Sequence, residues 1–310
     1  MELGVSIPHF GPLASPAFVI DFCRSAESAG FDAVWVADHV VVPAHFESEY
    51  VLPATPKRFA FADMQATMGM NLEMNTTLAV AAAVTQRVKL CTGVAVLPIR
   101  NPILNARQLA SIDLYSGGRV LYGVGVGWLR EEAVAMGMPW DRRGRRVDEQ
   151  ISLLRTLWSA TGETVEFAGE FYHVPAISPD PRPVQRPIPI LIGGHSDAAV
   201  DRAARLGDGW IAAGMGPDRL KEAIDRLRAA CDRVGRDFGE LQIVNGERQD
   251  VRLDAEATDI KDQPRRVVDA VAMYESMGVT HVKAGIGATD AASALRVIEW
   301  YGSEVLPALR

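Results

Sequence analysis

The segment DAVWVADHVVVP, residues 32–43, begins as an apolar run and then sets Asp38 beside His39 with no turn residue between them. An imidazole exchanges a proton near neutral pH, and an adjacent carboxylate orients it or steadies its charge. Asp38 and His39 are therefore the candidate catalytic pair. The plainer reading is a strand end that turns polar where it meets solvent. In CTGVAVLPIRNP, residues 91–102, Gly93 interrupts a β-branched run between Thr92 and Val94. Such a glycine marks a bulge, a close approach of ligand to backbone, or an ordinary packing position. GVGVGW, residues 123–128, alternates glycine as far as Gly127 and ends in Trp128, without the Lys and Ser/Thr of a phosphate-binding loop. It suits either a planar ring lying on the backbone or tight packing at a strand end.

A second group of residues suits an anion. ILIGGHS, residues 190–196, ends a short apolar run in Gly193-Gly194 just before a helix that starts near Ser196. The amides at a helix start favour phosphate, and glycine lets it come close. Ser196 also reads as a simple N-cap. The next apolar run ends in Gly214-Met215-Gly216, again before a helix. RRGRR, residues 142–146, fits an anionic tail or, as charge runs usually do, a solvated helix start. There is no GxSxG or HExxH, and the six histidines are dispersed without metal-ligand spacing, so no metal is expected.

The elements that must position these residues alternate. Strands are expected at 3–8, 32–37, 88–97, 119–126, 188–192, 208–213, 240–246 and 279–285. Helices are expected at 16–29, 74–85, 102–116, 145–159, 196–206, 217–234, 264–277 and 290–306. The strands are near-continuous apolar runs, as in sheets covered on both faces. Eight such units predict a single α/β domain over 1–310, a (β/α)8 TIM barrel, with insertions after strands 2 and 4 at 43–73 and 141–187. An open doubly wound sheet is disfavoured because no GxGxxG follows the first strand. The second insertion contains a hairpin in TVEFAG and EFYHV, and 247–262 reads as a polar loop. In a barrel, residues after strands lie at the C-terminal rim, where active sites form.

The totals exclude some partners. The 310 residues are 48% hydrophobic with a net charge of −7, which argues against nucleic-acid binding. No apolar run approaches the ~20 residues that span a bilayer. The three cysteines are far apart, and the opening MELGVSIPHFG lacks the features of a signal peptide, so a cytoplasmic location is expected.

LGVSIPHFG, AESAGFDAVWVADHV, LAVAAAVTQRVKLCTGVAVLPIRNPILNARQLASID, SGGRVLYGVGVGWLREE and RAARLGDGW stand in an order and spacing that resemble the bacterial luciferase-like flavin oxidoreductases. The likeness is greatest to the branch using the deazaflavin coenzyme F420, and it covers nearly the whole chain. It implies a TIM barrel in which Asp38 and His39 lie beside the cofactor ring. Thr92, Gly93 and Val94 would form a bulge behind the ring, with a cis peptide at Gly93-Val94. Gly127 and Trp128 would border the ring, and Gly193, Gly194, Gly214, Met215 and Gly216 would hold the phosphate. It also implies hydride transfer to or from a small organic substrate and a homodimer. The alternatives are an FMN-dependent monooxygenase served by a partner flavin reductase, and a non-catalytic flavin-binding barrel. One departure stands out: the branch's sugar-phosphate dehydrogenases carry a catalytic Glu after GVGTG, where this chain has Trp128. The first insertion, rich in Met and aromatics, would cover the substrate or form a dimer contact.

Overall fold

The computed structural model describes residues 1–51, 56–57, 69–212, 214–246, 249–256 and 262–310. Eight parallel strands close into a barrel: β1 Glu2–Ser6, β2 Ala33–Val36, β3 Lys89–Thr92, β4 Val120–Gly125, β5 Ile190–Gly193, β6 Gly209–Ala212, β7 Gln242–Asn245 and β8 His281–Gly287. Each strand pairs with the next, and β8 returns to β1 with Glu2 opposite His281. The helices are α1 Pro16–Ala29, α2 Met74–Val84, α3 Pro102–Ser116, α4 Arg130–Ala135, α5 Arg143–Ser159, α6 Asp197–Leu206, α7 Pro217–Val234, α8 Gln263–Ser276 and α9 Ala291–Trp300. Their ends follow local chemistry. Ser15 Oγ accepts the Phe18 N–H to start α1, and Gly30 at φ 100° stops it. Asn101 and Gly117 do the same for α3.

Strand alternation sorts the core into two layers. Val34 and Val36 of β2, Tyr122 and Val124 of β4, and Ile190 and Ile192 of β5 face the helices in one large apolar cluster. Ala33, Trp35, Cys91, Leu121, Leu191, Ile211 and Val244 fill the barrel interior. A Cβ on Gly4 would lie 2.4 Å from Trp35 Nε1, so that indole takes the space a β1 side chain would need.

At the mouth, β3 bulges. Its pairing with β4 breaks after Cys91 and resumes at Ala95–Val96, and the Gly93–Val94 peptide between is cis. The glycines of GVGVG answer to this bulge. A Cβ on Gly123 would sit 2.1 Å from the Thr92 carbonyl oxygen, and one on Gly125 would sit 2.8 Å from Val94 Cγ2. Tight strand packing therefore accounts for both positions. Gly123→Ala is expected to cost about 3 kcal/mol or more, the upper end of overpacking penalties. A urea midpoint unchanged from the natural protein would refute that account.

Both insertions fall where expected. Of residues 43–73, the described part is the chain to Val51, a short backbone pairing of Tyr50–Val51 with Pro56–Lys57, and the return from Gly69; 52–55 and 58–68 lie outside the described residues. The role expected for this insertion falls largely on those residues. The second insertion carries α5 and the hairpin, whose strands are Val165–Ala168 and His173–Ile177. The structure departs from the expected elements in three places. Residues 247–262 include a strand, Arg252–Asp254, paired with the end of β8. The short helix α4 was not expected from the sequence. The last helix stops at Trp300, and the chain goes on in a wider turn over Tyr301–Val305.

Candidate active site

A cavity of about 810 Å³ opens at the C-terminal mouth of the barrel. Its wall brings together Asp38, His39, Gly93, Val94, Gly127, Trp128, Gly193, Gly194 and Gly214 from five separate stretches of chain. Three expected residues are not in that wall. Thr92 is buried, and its hydroxyl donates to the Gly123 carbonyl at 2.7 Å. Met215 is buried and exchanges hydrogen bonds with the Asn245 amide at 3.2 Å each way. Gly216 is the residue from which α7 starts.

His39 reaches the cavity from the end of β2. Its Nδ1 lies 2.9 Å from Glu132 Oε2. Glu132 Oε1 accepts the backbone N–H groups of Val40 at 2.6 Å and Val41 at 3.3 Å, which leaves Oε2 for the imidazole. With Oε2 as acceptor, Nδ1 carries the hydrogen, and Nε2 is the ring atom left to exchange a proton. The His39 carbonyl also accepts from Asn71 Nδ2 at 2.5 Å. Glu132 is only 1% exposed and stands in α4, one turn beyond Trp128. Sequence reading missed it because it looked for a carboxylate at position 128 and found the indole. The available signal was the acidic pair in WLREE. Its neighbour Glu131 fastens the far end of the same loop, accepting from Glu47 N at 2.7 Å and Ser48 Oγ at 2.7 Å.

Asp38 lines the same cavity, but its carboxylate, 3% exposed, is engaged by its own chain. It accepts the Val96 N–H at 2.8 Å and a forked pair from Arg100 at 2.9 and 2.6 Å. Burial opposes the Arg100 charge, but the hydrogen bonds and charge of Asp38, with Glu73 beyond it, hold the guanidinium above its ordinary pKa. Asp38 thus pins the strand that follows the bulge. Behind it His9, buried, faces the carbonyls of Ile7 and Ala37 at 3.0 Å each. Burial pushes its pKa below the ordinary imidazole value against the pull of those two acceptors.

A second side of the cavity is built from β5 and α6. Gly194 has φ 119°, and its carbonyl accepts Trp210 Nε1 at 2.7 Å, which turns the chain into the helix. Ser196 Oγ accepts the Ala199 N–H at 3.3 Å, so Ser196 is the N-cap of α6. Ser196, Ala198, Ala199 and, one turn on, Arg202 line the cavity. His195 lines it too, its pKa lowered by burial and by Arg226. The basic run 142–146 is largely occupied. Arg142 and Arg145 pair with Glu170, Arg146 lies 4.5 Å over the Phe171 ring, and Arg143 lies 3.9 Å over Trp140. Arg142 and Arg143 still reach the cavity wall.

Apolar side chains complete the enclosure. Val94, Val96, Val126 and Ile211 line it, and Trp128 stands edge-on to His39 at 6.0 Å and to Phe46 at 6.4 Å. No cluster of potential metal ligands occurs among the described residues, and no helix among them is long and apolar enough to cross a membrane.

Fold and cavity define the class: a (β/α)8 barrel with a glycine-floored cavity at its C-terminal mouth. The family model of luciferase-like monooxygenases matches residues 1–257, and the chain belongs to that family. It is 37% identical over 270 residues to "Uncharacterized protein Rv0940c" of Mycobacterium tuberculosis (strain ATCC 25618 / H37Rv), covering 86% of this chain and 84% of that one. It is 31% identical over 232 residues to an F420-dependent glucose-6-phosphate dehydrogenase of Kineococcus radiotolerans, covering 73% and 62%. A shorter match, 38% over 151 residues, joins it to an FMNH(2)-dependent dimethylsulfone monooxygenase of Pseudomonas putida, covering 47% and 41%. The solved structure of an F420-dependent secondary alcohol dehydrogenase in complex with an F420-acetone adduct shares the fold, with a TM-score of 0.77 over 100% of this chain and 99% of that one at 18% identity. Relatives of this chain thus include both F420-dependent and FMN-dependent enzymes.

Proposed function

We propose that the protein is an F420-dependent oxidoreductase that moves a hydride between the deazaflavin and a small organic substrate. The observation that carries this reading is the meeting of three features in one cavity: the Gly93–Val94 bulge, the His39–Glu132 pair, and the Gly193–Ser196 approach to α6. The residues fit such a cofactor. Around Val94 the barrel floor is glycine, because a Cβ on Gly193 would lie 2.6 Å from Val94 Cγ1, and this leaves a surface on which a flat ring can rest. Gly193, Gly194 and the first amides of α6 would hold a phosphate. Gly93, Val94, Gly127 and Trp128 would border the ring.

When bound, F420 supplies the hydride chemistry. The chain's own part is to orient, to exclude water and to manage one proton. His39, tied through Nδ1 to Glu132, holds Nε2 for proton exchange with the substrate oxygen or nitrogen at the reacting carbon. Val94, Val126, Ile211 and Trp128 keep the reacting face apolar, so the substrate is one with an apolar body. Trp128 in place of a carboxylate speaks against a sugar phosphate. The same reading takes the protein as a cytoplasmic homodimer.

F420 is preferred over FMN because the F420-dependent relative matches over the larger share of the chain, 73% against 47%. The FMN reading, with a partner flavin reductase, draws on the shorter match, which is the more identical of the two. Titration of the purified protein with F420 and, separately, with FMN decides between them. Micromolar or tighter binding of F420 with weak FMN binding is the expected result. The reverse order would move the protein to oxygen chemistry, and oxygen uptake with reduced FMN would then be measured. Binding of neither would defeat both readings.

A further inference from the structure

We propose that a side chamber at the ends of β1 and β8, beside the candidate active site, holds an uncharged alkyl or aryl group of the substrate. This rests on the oxidoreductase reading above and deepens it by giving one part of the substrate its own subsite.

The chamber follows from small residues meeting at one corner of the barrel. β1 and β8 lie side by side with Val5 opposite Ala284, and α1 and α9 pack against each other outside them. Ala37 follows β2, Ala284 stands on β8, Ala288 follows β8, and Ala294 lies in α9. Four methyl groups do not fill the gap, and a cavity of about 320 Å³ is left there. Protein interiors pack densely and keep few voids larger than a water molecule. A gap of this size at the rim is in the range of ligand pockets.

Its lining sets the chemistry. Ile7, Leu13, Phe22 and Ile286 add apolar wall to the alanines. Among the described residues that line it there is no carboxylate. His9 lines it too, but both of its ring nitrogens face backbone carbonyls, of Ile7 and Ala37, at 3.0 Å. The imidazole therefore adds ring surface to the wall, and an uncharged apolar group is the fitting occupant.

Its place sets the owner of that group. Ala37 and Lys283 line both the chamber and the main cavity, so the two spaces lie against each other. Ala37 comes just before Asp38 and His39. A substrate with its reacting carbon beside His39 can thus extend past Ala37 into the chamber. The residues proposed for the cofactor, Gly93–Val94, Gly127 and Gly193–Ser196, stand on or after β3, β4 and β5, and none of them lines the chamber.

The test uses straight-chain primary alcohols from propanol to octanol as probes. Each is titrated by calorimetry into protein saturated with F420, or with FMN if that is the form bound. Wild type, Ala288→Phe and Leu13→Trp are compared. Both positions are half-buried and lie outside the strands, so the larger rings can turn into the chamber. The cofactor Kd of each variant is measured first and is expected to match wild type. In wild type, affinity should rise about fourfold for each added methylene, the worth of a buried CH2, until the chamber is full. In each variant the rise should stop early, so that octanol binds about tenfold or more weaker than to wild type, the loss of two or more buried methylenes. A rise with chain length that both variants leave intact would put the chain elsewhere and overturn the inference. No rise in wild type would also overturn it, and the cofactor reading would stand on the measured cofactor Kd. If wild type binds neither F420 nor FMN, the cofactor reading falls, and the chamber loses its assignment to a substrate with it.

Discussion

Replacing His39 by alanine is expected to lower turnover by about 10²–10⁴-fold, the range lost with a general acid–base group, while cofactor binding stays measurable. The ring reaches the cavity from a strand end, and its Nδ1 is already committed to Glu132 at 2.9 Å. Alanine removes the proton-exchanging atom and leaves the bulge, the glycine floor and the start of α6 in place. Glu132→Gln should be nearly as damaging, for a geometric reason. Two backbone N–H groups, of Val40 and Val41, fix which oxygen must remain an acceptor. A glutamine meeting that demand turns its NH2 toward His39 Nδ1. The imidazole then has to accept at Nδ1 and carry its hydrogen on Nε2, the wrong tautomer for taking a proton there. Turnover and the cofactor Kd are measured in parallel, with the substrate found by screening the wild type. Unchanged turnover in His39→Ala would remove the imidazole from the chemistry.

Much of the scaffold was legible because it is local. Continuous apolar runs such as AVWV and VLYGVG can be buried on both faces only in a covered parallel sheet, and they are. Gly30 and Gly117 end their helices in the left-handed conformation that glycine adopts at least cost. The cis peptide at Gly93–Val94 was an expectation from resemblance rather than from residue chemistry. What stayed illegible depends on partners far apart in the chain. Glu132 lies 93 residues from His39, and Arg100 lies 62 residues from Asp38. No local pattern says which of two adjacent polar residues, Asp38 or His39, is engaged by an arginine and which by a glutamate. The run 142–146 read as an anion contact or a solvated helix start because Glu170 and Phe171, which engage it, sit beyond the whole of α5. The strand Arg252–Asp254 was read as loop because it is short and polar, and only the end of β8 recruits it.

Replacing Asp38 by alanine is expected to destabilise the protein by about 3–5 kcal/mol, as breaking one side of a buried ion pair does. The carboxylate is buried, and the Arg100 side chain it engages is 9% exposed. Alanine leaves that guanidinium with Glu73 at 3.0 Å, a half-buried partner, and leaves the Val96 N–H without its acceptor. The damage is directed. Val96 follows the bulge directly, so losing its anchor loosens Gly93–Val94 and the cavity floor together. Asp38→Asn separates support from catalysis. The amide oxygen can still accept from Val96 or Arg100, so about half of the lost stability should return, and activity per folded molecule should return with it. Urea unfolding read alongside turnover measures both. A fully stable Asp38→Asn protein with no turnover would place the carboxylate in the reaction itself. Recovery of both together keeps Asp38 where its hydrogen bonds put it, as the brace behind His39.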